Sequence, residues 1–216
     1  MHDPTQLRGV EERVRAVEGR TGVQVVVAAI ERADVYHGLR WRAFAFGAAL
    51  SGAVIALGGA LRPWSVPEPA PFWAIAGVLV SGALFALAAT FSPAVARLFL
   101  EPLRAEAEVR QRAAVLFLER ELFATRERDA VLLLVCGFER QAAVLADRRF
   151  HARVTAEEWG SVEAAIVARL RAGRLSEGLL AGLDTLERLL VGKGFAPAPR
   201  EANELPDRPL TGSGAP

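Results

Sequence analysis

The chain opens with an apolar residue at every third or fourth position: Leu7, Val10, Val14 and Val17 within DPTQLRGVEERVRAVEGRTG. That spacing gathers them on one helical face. Asp3 is placed to cap the helix, Pro4 suits its first turn, and Gln6 closes a capping-box-like pair. Gly19 to Gly22 predict the exit turn. VQVVVAAI follows with no alternation, the pattern of a strand covered on both faces.

The pattern then changes scale. Ala43 to Leu61 carries no charge, and neither does Pro69 to Ala96. About twenty apolar residues in a helix cross the ~30 Å hydrocarbon of a bilayer, which predicts spans at 43–61 and 72–92. RPWSVPEPAP between them stops one helix and starts the next. Trp64 and Trp73 fall where interfacial aromatics collect.

Beyond the spans, EPLRAEAEVRQRAAVLFLERELFATRERD predicts a long charged helix with Ala113, Leu116, Phe117 and Leu122 turned inward. AVLLLVCGF predicts a second buried strand. RQAAVLADR returns from it as a hairpin across Gly137–Glu139. Thr155 and Glu158 form a capping box before a helix striped by Trp159, Val162, Ile166 and Leu170. Leu179, Leu183, Leu186 and Leu190 stripe the next, where Gly178 and Gly182 permit close packing and Gly192 and Gly194 mark the end. From Phe195 onward the residues lose periodicity and predict a mostly disordered tail.

These elements predict an α/β chain with an interruption. Strand one ends near Ile30 and strand two starts near Ala130. A parallel pair needs a crossover between them, and this crossover contains the apolar hairpin. The expected divisions are 1–40 (first helix and strand), 41–100 (transmembrane hairpin), 101–194 (the rest of the α/β domain) and 195–216 (tail). The carboxyl ends of both strands are expected to face the bilayer, and that edge is where open α/β sheets bind ligands.

Composition sharpens this in places. Lys+Arg 26 against Asp+Glu 25 leaves a net charge of +1 over 216 residues, too little to attract nucleic acid. The one cysteine, Cys136, permits no disulfide within the chain and lies in an apolar run. The N-terminal segment has no apolar core of a secretory signal. Arg32, Arg40 and Arg42 precede the first span, and Arg97, Arg104, Arg110 and Arg112 follow the second. The positive-inside bias therefore predicts an inner (cytoplasmic) membrane protein with both termini cytoplasmic. No ionisable residue interrupts either span, so ion relay or transport is not expected. Gly47 with Ser51, and Gly77 with Ser81, offer small faces for a tight hairpin or a homo-oligomer.

Candidate chemistry is sparse. There is no phosphate-cradling glycine loop and no G-x-S-x-G elbow. His2, His37 and His151 lack zinc spacing. ADRRFH places Asp147, Arg148, Arg149 and His151 at the end of the hairpin strand, where the arginines could grip a phosphate group. Asp34 and His37 follow strand one. Together Asp34, His37, Asp147, Arg149 and His151 form the candidate site at the sheet edge. Asn203, Glu204, Leu205, Pro206 and Asp207 (NELPD) form a local motif suited to docking on the domain or on a partner, with Pro206 holding Leu205 extended.

RAAVLFLERELFATRERDAVLLLVCGFERQAAVLADRRFHARVTAEEW, continuing through AGRLSEGLLAGLDTLERLL to NELPD, resembles the TPM domain family. The likeness is to its membrane-anchored bacterial branch, in which a transmembrane pair interrupts the domain. The resemblance implies an α/β/α sandwich around a small, mostly parallel sheet. It also implies links to membrane-protein maintenance, to weak acid phosphatase activity and to calcium, with Ca²⁺ or Mg²⁺ as the implied ion; among this chain's own residues Asp34 and Asp147 are the candidate ligands. ERADVYHG offers only Glu31 and Asp34 where such relatives carry an acidic loop. Two readings result: a non-catalytic interaction or maintenance module for a membrane-protein partner at the lipid bilayer, or a divalent-dependent phosphatase-like hydrolase at the membrane-facing edge.

Overall fold

The computed structural model describes residues 4–36, 38–61, 70–196 and 209–214. In chain order the described elements are α1 (Pro4–Thr21), β1 (Gln24–Arg32), α2 (Gly38–Leu61), α3 (Ala70–Phe91), α4 (Pro93–Leu98), α5 (Pro102–Glu119), β2 (Ala130–Cys136), β3 (Gln141–Ala146), α6 (Ala156–Leu170), α7 (Leu175–Gly192) and β4 (Leu210–Gly214), with single 3-10 turns at Leu122–Ala124 and Arg148–Phe150. The chain divides into two compact units, Met1–Asp34 with Pro102–Pro216, and Val35–Glu101.

The first unit is built on a four-stranded sheet in the order β3-β2-β1-β4. β1 and β2 are parallel, in register from Gln24 opposite Ala130 to Ile30 opposite Cys136. β3 returns antiparallel to β2, with Val131 opposite Ala146 and Cys136 opposite Gln141. β1 and β2 lack alternation because both their faces are covered. Val25, Val27, Val131, Leu133 and Val135 point into one core, with α1, α6 and α7. Val26, Ala28, Leu132, Leu134 and Cys136 point into the other, against α5. The result is an α/β/α sandwich with a mostly parallel sheet.

Each predicted helical stripe lies in a core. Val10, Val14 and Val17 of α1 are buried, as are Leu179, Leu183, Leu186 and Leu190 of α7, and each such leucine contributes about 2 kcal/mol of burial. Asp3, and the side chains of Gln6 and Leu7, lie outside the described residues. The Thr155 capping box is formed: the Thr155 hydroxyl accepts from the Glu158 N–H, and the Glu158 carboxylate accepts from the Thr155 N–H. On α7, a Cβ added at Gly182 would lie 2.4 Å from Ile166 Cγ1 of α6, and one at Gly178 would lie 3.0 Å from the Ile166 carbonyl oxygen. The missing side chains are what let the two helices touch.

The tail departs from expectation. Leu210–Gly214 forms β4, parallel to β1, with Ala29 opposite Thr211 and Ile30 opposite Gly212. Sequence periodicity could not disclose it, because Leu-Thr-Gly-Ser-Gly has only one strongly apolar residue and takes its hydrogen bonds from a strand far away in the chain.

The second unit is a helical hairpin. α2 and α3 meet where side chains are smallest. A Cβ on Gly47 would lie 2.7 Å from the Phe85 ring, and one on Gly82 would lie 2.8 Å from the Phe44 ring. The Ser81 hydroxyl donates to the Gly47 carbonyl at 3.0 Å. Thus Gly47 and Ser81, from the two predicted small faces, meet across the hairpin, while Gly77 has only Ile55 Cδ1 nearby, at 3.9 Å. Ser92 caps the short α4, and Arg42 pairs with Glu101 at 3.1 Å. Gly38–Leu61 and Pro71–Phe91 are long and apolar enough to cross a membrane, and only 6% and 11% of their most apolar windows are buried. Their apolar side chains point outward, as Leu57, Trp73 and Leu84 do.

Candidate functional site: two edges of the sheet

The site expected from sequence falls on two opposite edges. Asp34 follows β1, at the carboxyl edge of the parallel pair. Asp147 follows β3, which runs the other way, and its N–H donates to the carbonyl of Ala130 at the start of β2. Seven residues of β2 lie between the two edges, about 20 Å at the rise of a strand. Asp34 and Asp147 therefore cannot share an ion, and the single five-residue site expected from sequence is not assembled. Antiparallel pairing of β3 is the physical reason. His37 and the NELPD motif (Asn203, Glu204, Leu205, Pro206 and Asp207) lie outside the described residues.

At the carboxyl edge the turn between β2 and β3 is stitched onto the end of β1. Gly137 N–H donates to the Ile30 carbonyl at 3.0 Å and Phe138 N–H to that of Glu31 at 2.7 Å. Buried Glu139 accepts from the Ala33 N–H at 2.9 Å. The Arg32 guanidinium stands 4.3 Å above the Phe138 ring. Asp34 pairs with Arg104 of α5 at 3.7 Å, so the two points at which the chain leaves and re-enters this unit lie side by side. Cys136 is interior here. Burial, with a further push from Glu139, raises its thiol far above the ordinary range, and such a thiol is a poor nucleophile.

At the opposite edge two carboxylates are buried, Asp129 and Asp147. Arg149 reaches Asp129 at 3.1 Å and Glu127 at 3.4 Å. Asp147 accepts from the Arg148 N–H at 2.6 Å, and Arg128 stands 3.9 Å away. Arg128 is held at φ 54°, a left-handed conformation uncommon outside glycine, where it turns the chain into β2. The Phe195 ring stacks on Phe150 at 5.1 Å and takes the guanidinium of Arg153 at the same distance. His151 is exposed, and its backbone N–H closes the 3-10 turn. This arrangement ties the ends of β2, β3 and α7 together. Sequence reasoning placed Arg149 and Asp147 in one cluster but missed Asp129, whose signal is its place immediately before the fully buried strand.

Among the described residues, no three His, Cys, Asp or Glu side chains converge in a metal-holding group. Among the described residues, neither edge brings a nucleophile, a base and an orienting group into mutual reach, the arrangement of triad-type acyl transfer.

Fold and edges together define a class: a small α/β/α sandwich whose first parallel pair is interrupted by a helical hairpin. The family model for the TPM domain matches residues 80–189, and the chain belongs to that family. No curated protein matches it. A similar solved structure is the NMR structure of BA42 protein from the psychrophilic bacterium Bizionia argentinensis, with a TM-score of 0.57 and 13% sequence identity over 97% of this chain and 94% of that one. At that identity the likeness is one of fold.

Proposed function

We propose that this TPM-domain protein is anchored in the inner membrane by α2 and α3, with both termini cytoplasmic, and that its α/β/α unit is a non-catalytic module for assembly or maintenance of a membrane-protein partner. One observation carries the reading: two helices of spanning length present outward-facing apolar side chains, and few residues of their most apolar windows are buried. Water solvates such a surface poorly, and a bilayer solvates it well. The arginines flanking the hairpin, Arg40 and Arg42 before it and Arg97 and Arg104 after it, support the orientation. The edges of the sheet are filled by ion pairs and turn contacts, which supports binding over turnover.

Protease accessibility decides the topology. Tags at either terminus are expected to be cleaved only from the cytoplasmic side, and a tag in the 62–69 loop only from the other. Affinity capture from gently solubilised membranes then recovers a defined partner; repeated recovery of none counts against the module. The hydrolase reading loses its proposed ligand pair to the separation of Asp34 from Asp147. Millimolar Ca²⁺ or Mg²⁺ is accordingly expected to leave Tm unchanged, whereas an ion specific to the native state must raise it.

A further inference from the structure

The two outer edges of the sheet are closed by different means. At the β3 edge, the Val144 N–H donates to the Glu163 carboxylate of α6 at 2.9 Å, and Arg110 of α5 pairs with that carboxylate at 3.4 Å. Side chains of two well-packed helices shut it. On β1, Val25 N–H donates to the Glu18 carboxylate at 2.7 Å. From Ala28 to Arg32 the partner is β4.

β4 is a poor strand by its own chemistry. Two of its five residues are glycine, which weakens a strand and offers nothing to pack. Gly212 stands opposite Ile30 and Gly214 opposite Arg32. Cross-strand pairs are what stabilise a sheet, and these two positions provide none. Ile30 is left only partly buried, whereas Val25 to Ala29 are fully buried. Leu210 is the one β4 side chain described against the α5-side core.

We propose that the outer edge of β1 at Ala28–Arg32 is a docking edge for an extended segment of another polypeptide, and that Leu210–Gly214 is its displaceable resident. The incoming segment runs parallel to β1. It places an apolar residue where Leu210 lies and β-branched residues where this chain has Gly212 and Gly214, covering Ile30. Main-chain hydrogen bonds supply the affinity and the alternate side chains the selectivity. The idea deepens the interaction-module reading and depends on it only for the identity of the cellular partner.

The test uses the whole membrane protein in detergent, beside a chain ending at residue 208. The probes are two synthetic peptides of residues 203–216, one native and one carrying Gly212→Val and Gly214→Val. In the shortened chain the β4-facing amides within Ala28–Arg32 are expected to exchange faster, and either peptide to restore their protection. The valine peptide is expected to bind roughly tenfold tighter than the native one, and to bind the whole protein more weakly than the shortened chain, because β4 competes. Should the shortened chain fail to unfold cooperatively, the whole protein carrying Leu210→Asp replaces it. Equal exchange at Ala28–Arg32 with and without β4, or no binding of the valine peptide to an opened edge, overturns the proposal. A partner captured from membranes despite that result leaves the module reading standing; an edge that binds peptide while no partner is captured removes the module reading alone.

Discussion

Glu187 on α7 is held by two arginines of α1. Arg20 reaches it at 2.7 Å, Arg13 pairs with it too, and Arg13 also meets Asp184 at 2.7 Å. Hydrogen bonds from Arg20, then Arg13, pull its carboxyl below the ordinary carboxylate range. A group whose folded value is depressed adds stability above its unfolded value, near 4.3, and loses it as pH falls through the folded value. Glu187→Gln is therefore expected to lower Tm at neutral pH and to flatten the acid limb of the Tm-against-pH curve. An unchanged acid limb would show that the pair contributes nothing beyond packing.

Asp129 makes a second residue-scale case. It is fully buried beside Arg149, which is itself about one-third exposed. Removing one member of a buried pair strands the other's charge, commonly at a cost of 3–5 kcal/mol. Solvent at the arginine reduces this, and Arg149→Met is expected to cost about 2 kcal/mol in urea unfolding. A phosphate-gripping role for Arg149 predicts the opposite sign, since relieving a cationic site usually stabilises.

At the scale of elements, close packing explains what substitution will do. Gly182→Leu must push Ile166 aside and is expected to destabilise by about 1–3 kcal/mol. Gly160→Ala on α6 meets nothing within 4 Å and is expected to gain up to about 1 kcal/mol in helix propensity; equal effects on thermal melting would refute the packing account. The same contrast shows what the residues could disclose. Local signals were legible: the Thr155–Glu158 box, the leucine stripe of α7, the uninterrupted apolar runs of β1 and β2. Pairings that depend on distant chain were not. β4 has no periodicity of its own; the separation of Asp34 from Asp147, by contrast, already followed from the hairpin return, since an antiparallel β3 carries Asp147 to the far end of β2. Resemblance gave the layer order, which periodicity alone could not.

At the scale of the molecule, Asp34 and Arg104 are neighbours although the hairpin separates them in sequence. Replacing residues 35–101 by a short Gly/Ser linker is expected to yield a water-soluble domain with cooperative unfolding, since both cores of the first unit are made of residues outside that segment. Aggregation of this excised form, with no sharp thermal transition, would show that the first unit needs the hairpin in order to fold.

Register also fixes an order of events at the ribosome. Gln24 must wait for Ala130, and at ~5–20 residues per second that delay lasts about 5–20 s. The greasy pair emerges inside that interval and can be inserted while β1 has no neighbour. Newly made chains thus carry an unpaired, valine-rich strand until past the middle of translation, and chaperone demand should peak in that window.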